Sequence, residues 1–235
     1  MVEALTQEID KKIGFPDDDL CQRCLKAGIN KFDDKYMCLI GIFCSMSSDE
    51  EIQGKAKIVL NKLKTKHDRS GPFMLLKWII QIQDGKDNGN LEKQIEEWSQ
   101  LHNDELLYSR VILWLKQTSK DNVELIDAYV KHLDSFWKDA LVWAKLGELY
   151  AKEKLYDRSV FCYDEAIGLD SENAMYYKNS AKYRLLLGSN KDIAVKQLAK
   201  SVMLNEKDPE AWDLLIKNSK NSAKYVEYKE KILKL

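Results

Sequence analysis

Proline and glycine are scarce in this sequence, with 3 prolines and 10 glycines among 235 residues. Sheets joined by many tight turns draw on both residues, and the β-branched runs that strands favour are also rare here. Hydrophobic residues make up 45% of the chain and charged residues 32%, which is enough apolar surface for a packed core. The composition therefore excludes a disordered chain and predicts an all-α fold.

Net charge and long apolar runs are lacking as well. The chain carries 37 basic and 38 acidic side chains, so no overall field attracts nucleic acid or an anionic membrane. The most apolar stretch, residues 37–46, is about half the length needed to span a bilayer. The first ten residues have neither the basic start nor the apolar core of a signal peptide. We expect a cytoplasmic protein with no nucleic-acid partner and no direct membrane span.

Five cysteines, an odd number, argue against a disulfide framework. Cys21 and Cys24, with Cys38 and Cys44 downstream, resemble a loose metal-binding spacing, so a zinc site is the alternative. The first two lie in a stretch that reads as helix, and neither a glycine-containing knuckle nor paired histidines follow. We interpret the cysteines as buried apolar residues and predict no metal and no cofactor.

No catalytic constellation can be assembled from the remaining residues. His67, His102 and His132 lie in different helical segments, and no nucleophile has a plausible base nearby. No glycine-rich phosphate loop occurs, since Gly14, Gly28 and Gly41 stand alone. His132 is expected to be a half-buried packing residue. The sequence predicts a protein that is not an enzyme.

Helical patterns follow one another along the chain. A capping box of Ser48 and Glu51 predicts a helix that ends near residue 66. Helices near 72–83 and 91–101 are expected to pair. Apolar residues at helical spacing predict a second pair through Leu107, Val111 and Leu115 and then Ile126, Val130 and Leu133.

A 34-residue unit begins at Ala140. The tetratricopeptide pattern requires an aromatic residue, Leu, Gly and Tyr at positions 4, 7, 8 and 11 of its first helix. The sequence supplies Trp143, Leu146, Gly147 and Tyr150. The second helix requires small, aromatic and small residues, which are Ser159, Tyr163 and Ala166. Two helices approach closely only where small side chains meet, so Gly147 and Ala166 are predicted to lie at the helix crossing.

Two further units follow this first unit, 140–173. The unit 174–208 has Tyr177 and Ala181 at positions 4 and 8, and one inserted residue in the turn at 188–190 brings Ala194 into register. The unit 209–235 has Trp212 at the aromatic position. Because one unit cannot bury its own apolar face, we predict a single solenoid over 1–235, with divergent helical pairs before 140. The predicted fold is a right-handed tetratricopeptide-type superhelix of stacked antiparallel helix pairs.

Tetratricopeptide proteins hold peptides or partner helices on the inner surface formed by their first helices. Position alone predicts a groove there lined by Glu148, Lys152, Lys178, Lys182, Asp213 and Lys217. The best-known peptide mode clamps a C-terminal carboxylate with Lys at position 5 and Asn at position 9. Here those positions are Ala144 and Glu148, and an acid opposes a carboxylate.

Residues 142–150 read Val-Trp-Ala-Lys-Leu-Gly-Glu-Leu-Tyr, and Tyr156 and the run Phe-Cys-Tyr-Asp-Glu at 161–165 follow. These sequence segments resemble subunit 2 of the endoplasmic reticulum membrane protein complex. Two features differ from that family: Ser171 stands where the family often has proline, and the chain is short at its C-terminus.

The resemblance implies a cytosolic scaffold, peripheral on the endoplasmic reticulum, that gathers the cytosolic parts of the membrane-embedded subunits of an insertase. Such a complex supports insertion of tail-anchored and multi-pass membrane proteins. The alternative is a soluble tetratricopeptide adaptor or co-chaperone that binds short peptides.

Overall fold

The computed structural model of the chain describes residues 2–11, 18–47, 49–63, 71–85, 93–95, 97, 105–117, 122–220 and 222–233. These residues form helices and turns and contain no strand, so the predicted all-α class is confirmed. The chain forms two compact units, 1–120 and 121–235. The single solenoid over 1–235 stays a prediction, and so does the pairing of the two helices on either side of residue 120.

The described part of the first unit consists of helices that follow one another along the chain. They are α1 Val2–Lys11, α2 Asp18–Ala27, a short 3₁₀ helix Ile29–Lys31, α3 Asp34–Met46, α4 Glu50–Leu63, α5 Gly71–Gln83 and α6 Glu105–Gln117. Of the helix predicted over 91–101, residues 93–95 and 97 are helical, and the rest lies outside the described residues.

The start of α4 differs from the prediction by one residue. Oδ1 of Asp49 accepts hydrogen bonds from the backbone N–H groups of Glu51 at 2.8 Å and Ile52 at 3.3 Å. Asp49 therefore satisfies the free donors at the head of the helix. Ser48, to which the sequence analysis assigned this role, lies outside the described residues.

Helix α3 is buried on all sides in the core of the first unit. Every residue from Met37 to Met46 is buried. A Cβ at Gly41 would lie 2.7 Å from Cδ2 of Leu76 on α5 and 3.1 Å from Cγ1 of Val59 on α4. Because both contacts are shorter than normal packing allows, only glycine lets α3 lie this close to its two neighbours.

All five cysteines are free thiols and are buried, as predicted for apolar packing residues. Burial raises the pKa of Cys24 to about 11 and that of Cys38 to about 12, which leaves these thiols protonated and unreactive at neutral pH. A hydrogen bond with Cys44 and burial also raise the pKa of Cys21. Within the described ranges, no group of three or more His, Cys, Asp and Glu side chains is placed to hold a metal ion.

The second unit is a succession of helix pairs. Its described helices are α7 Asn122–Ser135, α8 Ala140–Lys152, α9 Tyr156–Leu169, α10 Ala174–Leu186, α11 Lys191–Leu204, α12 Pro209–Asn218 and α13 Ser222–Leu233. Each helix packs mainly against the helices that precede and follow it, which is the contact pattern of a repeat protein.

The first helices α8, α10 and α12 begin with equivalent caps. The side chains of Asp139, Asn173 and Asp208 accept hydrogen bonds from backbone N–H groups at these helix starts, at intervals of 34 and 35 residues. The turn between α10 and α11 holds Gly188 and Asn190 with φ of 68° and 48°, and it is one residue longer than the turn between α8 and α9. The inserted residue is therefore in the turn where the sequence analysis assigned it.

Trp143 and Trp212 occupy equivalent surroundings. Nε1 of Trp143 donates to the carbonyl oxygen of Trp137, and Nε1 of Trp212 donates to that of Glu206, both at 2.8 Å. In each case the acceptor lies six residues upstream in the turn before a first helix. Tyr177, at the same phase of the second repeat, is half-buried.

The crossing of α8 and α9 lies at Gly147. A Cβ there would lie 3.1 Å from two ring carbons of Tyr163 and 3.2 Å from Cβ of Cys162, so the glycine allows the aromatic ring to pack on the helix backbone. The remaining residues expected to shape the repeats are also buried, namely Leu146, Tyr150, Ala166, Ala181 and Ala194.

Candidate partner-binding surfaces of the second unit

The residues predicted to line an inner groove fall into pairs. On α8, the Glu148 carboxylate lies 3.1 Å from the Lys152 amine and 3.6 Å from that of Lys145. Burial opposes ionisation of Glu148, but these two amines outweigh it and lower the pKa of the carboxyl. The negative charge at Glu148 is thus stable and already has cations beside it.

Lys178 and Lys182 of α10 come together on the carboxylate of Glu210. Nζ of Lys178 lies 2.8 Å from Oδ2 of Asp208 and 3.0 Å from Oε2 of Glu210, and Nζ of Lys182 lies 2.7 Å from Oε1 of Glu210. The Lys178 side chain is only 15% exposed. Burial opposes its charge, but the two carboxylates raise its pKa above the ordinary value. Lys178 therefore fastens α10 to the cap of α12.

Asp213 and Lys217 lie one turn apart on α12. Both are exposed, and the Asp213 carboxylate accepts a hydrogen bond from Nζ of Lys229 on α13. The six residues lie on the three first helices α8, α10 and α12, and their use as a partner-binding groove stays a prediction.

A polar network that the sequence analysis missed centres on Asp164 of α9. Oδ1 of Asp164 accepts from Oγ of Ser180 at 2.7 Å and from Nε2 of Gln197 at 3.2 Å, and Oδ2 accepts from the guanidinium of Arg184. Asp164 therefore connects its helix to both helices of the next repeat. No local spacing signals this contact, because the partners are far apart in sequence.

A second surface is an open apolar groove between α7, α8 and α9. Its volume is about 480 Å³. We call it the apolar groove, and it is lined by Val130, Leu133, Asp134, Trp143, Leu146, Tyr150, Asp157, Arg158, Phe161 and Cys162. None of the six predicted groove residues is among them.

Two large apolar side chains of the apolar groove face solvent. Phe161 is 57% exposed and Val130 is 39% exposed. The ring of Phe161 meets that of Trp143 edge-on, with centroids 5.9 Å apart. Of the apolar residues that predicted this helix, Leu133 is buried, whereas Val130 is exposed at the groove. The buried positions of α7 also include Leu125 and Tyr129.

His132, beside the apolar groove on α7, is fully buried rather than half-buried. Its side chain is 1% exposed, and Nε2 lies 3.0 Å from Oδ2 of Asp139. The other carboxylate oxygen of Asp139 accepts from the N–H of Val142 at 3.3 Å. The pair therefore joins α7, one wall of the apolar groove, to the start of α8, which forms its floor.

None of the helices in the described residues is both long and apolar enough to cross a bilayer.

The comparisons with known proteins agree with this architecture. No family model matches the chain. In sequence it is similar to the TPR repeat protein oca3 of Schizosaccharomyces pombe, with 25% identity over 111 residues, which cover 46% of this chain and 39% of that protein. The chain thus spans about two fifths of the length of that curated relative.

Two solved structures share the fold. A crystal structure of MamA superposes with a TM-score of 0.53 at 13% identity and covers 67% of this chain and 92% of that one. MamA 41-end from Desulfovibrio magneticus RS-1 gives a TM-score of 0.50 at 14% identity and covers 81% and 94%. These two likenesses show the fold alone, and the sequence relative supports a tetratricopeptide-type repeat.

Proposed function

We propose that this chain is a non-catalytic scaffold subunit of the endoplasmic reticulum membrane protein complex. It would lie on the cytosolic face of the endoplasmic reticulum and gather the cytosolic parts of membrane-embedded subunits. In that position it supports insertion of tail-anchored and multi-pass membrane proteins without inserting them itself.

The observation that carries the proposal is the exposure of Phe161 within the motif that resembles subunit 2 of that complex. A residue that served only the fold would be buried, as Cys162 and Tyr163 are at 2% exposure each. Phe161 opens the same run and is 57% exposed in an apolar groove. Large apolar side chains that are grouped on the surface mark interaction sites. The motif thus contains two residues that pack in the core, Cys162 and Tyr163, and one exposed residue, Phe161, that is available to a partner.

Adaptor function with short peptides is equally compatible with the fold. The arrangement of Lys178 argues against the form of this function in which the amine clamps a peptide carboxylate. That amine already contacts Asp208 and Glu210, and a ligand would have to replace both. A titration with chaperone C-terminal peptides tests this alternative, which predicts binding that is lost in Lys178→Ala.

Affinity purification of the tagged full chain in a mild detergent tests the scaffold proposal. We expect integral membrane subunits of the complex to co-purify and to be identified by mass spectrometry. A tagged tetratricopeptide protein of similar size that lacks the 161–165 run is the control bait. Recovery of the chain with no integral membrane subunit, under conditions that keep the complex intact, would overturn the proposal.

A further inference from the structure

We propose that the apolar groove binds an amphipathic helix of a partner protein, with the apolar face of that helix on α8 and a basic side chain between Asp134 and Asp157. This inference rests on the proposed scaffold function and names the kind of segment that the scaffold holds.

The floor of the apolar groove is a straight stripe on α8. Trp143, Leu146 and Tyr150 follow one another at intervals of three and four residues, which places them on one face over roughly 10 Å of helix. Residues of α7 lie on one side of this stripe and residues of α9 on the other. A valley that runs along one helix between two others has the form in which an additional helix packs by fitting ridges into grooves.

The surroundings favour a helix over an extended peptide. The described residues contain no strand, so they offer no sheet edge to which an extended chain could add. The backbone groups of α7, α8 and α9 are used within the helices, and recognition therefore depends on side chains. A partner helix presents apolar side chains at i, i+3, i+4 and i+7, which matches the spacing of the groove floor.

The charged side chains at the rim of the apolar groove indicate which residue type the partner helix carries beside its apolar face. Asp134 on α7 and Asp157 on α9 are exposed, and neither forms a hydrogen bond or ion pair with another described residue. The guanidinium of Arg158 lies over the ring of Tyr150, 5.6 Å from its centroid. Two carboxylates on opposite walls are thus available to a Lys or Arg of the partner, and such complementarity sets the orientation of binding.

Photo-crosslinking from Phe161, on the α9 side of the apolar groove, identifies the occupant. Phe161→p-benzoylphenylalanine in the full chain is irradiated in cells, and the linked peptide is sequenced by mass spectrometry. We expect a segment with apolar residues at helical spacing and at least one flanking Lys or Arg. A linked segment that is acidic, rich in proline, or part of a second copy of this chain would overturn the proposal, as would the absence of any protein adduct.

Binding of the linked segment, synthesised with a fluorophore, is then measured by anisotropy. Phe161→Ser is expected to weaken it about tenfold or more, since large aromatic residues that a partner buries often dominate affinity. Met203→Ser is the matched control, because Met203 is 74% exposed on α11 of the same unit and does not line the groove. Equal affinity of these two variants, with unchanged circular dichroism, would contradict the proposal.

A charge exchange tests the role of the two carboxylates. Asp157→Lys is expected to weaken the segment severalfold, and a segment whose basic residue is replaced by Glu should recover affinity for this variant alone. Loss without recovery would refute the proposed ion pair.

Failure of the groove proposal and failure of the scaffold proposal can be distinguished. If membrane subunits co-purify equally with Phe161→Ser, the groove proposal fails. If the linked helix binds but no membrane subunit is recovered, the proposed complex is wrong.

Discussion

Both units contain a close contact between two helices at a glycine, but the surroundings of that glycine differ between the units. In each, one helix carries a glycine where a second helix crosses it, Gly41 on α3 and Gly147 on α8. Gly41 faces side chains of two other helices, and α3 is buried over ten successive residues. The three atoms nearest to an added Cβ at Gly147 all belong to α9, and other parts of α8 line the open apolar groove. The first unit thus encloses its central helix, whereas the second leaves side chains available for a partner.

Gly41→Leu tests the enclosed crossing and should have the largest effect. A Cβ would already lie 2.7 Å from Leu76, and the surrounding helices leave little room for movement. We expect a loss of unfolding free energy of about 3 kcal/mol or more, at the upper end for overpacked cores. Denaturant titration monitored by hydrogen exchange should show the loss in residues 18–85. An unchanged midpoint there would mean that the close approach at Gly41 is not present.

Gly147→Leu tests the open crossing and should cost about 1–3 kcal/mol, the range for an overpacked helix contact. The contacts of an added Cβ are longer here, at 3.1 Å. Gly168→Leu on α9 is the matched control, since no atom lies within 4 Å of its added Cβ. If Gly147→Leu proves more harmful than Gly41→Leu, the contrast between an enclosed and an open crossing is wrong.

The difference between the units also decides what the sequence could predict. After residue 140, the 34-residue pattern predicted the starts of the first helices and the inserted residue in the turn at 188–190, because these depend on contacts between neighbours in sequence. Helix α3 gave no such pattern. It is apolar on all faces, so periodicity could not identify Gly41 as a crossing point, and the sequence analysis treated it only as an isolated glycine.

The candidate site was less accessible to sequence reasoning. Val130 and Phe161 look like ordinary core residues, and their exposure depends on how α7 and α9 sit on α8. The network at Asp164 depends on Ser180, Arg184 and Gln197 from two other helices, whose approach no local rule specifies. What the sequence did offer was the run 161–165, which drew attention to the segment without showing which of its residues faces outward.

Lys178→Ala removes ion pairs in the second unit, and the stability lost in this variant should therefore depend on pH. Loss of the pairs with Asp208 and Glu210 should cost about 1 kcal/mol at neutral pH, given partial solvent exposure. Burial opposes ionisation of Asp208, but Lys178 and the backbone lower its pKa below the ordinary 3.8, and Lys182 and Lys178 lower that of Glu210 below 4.5. Their contribution is therefore complete above those ordinary values and is lost as pH falls through the lower folded-state values.

Melting temperatures of wild type and Lys178→Ala should thus begin to converge as pH falls below the ordinary values of 4.5 and 3.8, and should become equal below the lowered folded-state values, where both carboxylates are protonated. Lys191→Ala, at an exposed position on α11, is the control and should leave the profile unchanged. A difference between wild type and Lys178→Ala that does not decrease as pH falls below those ordinary values would show that the lysine stem, rather than its charge, fastens α10 to α12.

Gly54→Ala should have the smallest effect, and of the opposite sign. Gly54 lies on α4 of the first unit, and no atom lies within 4 Å of an added Cβ. Alanine restricts the unfolded chain and favours the helix, so we expect a gain of about 0.5–1 kcal/mol. Circular dichroism melting measures it. A loss of stability would mean that this face of α4 is covered in the native protein, and the first unit would then also hold a partner or a further segment of chain.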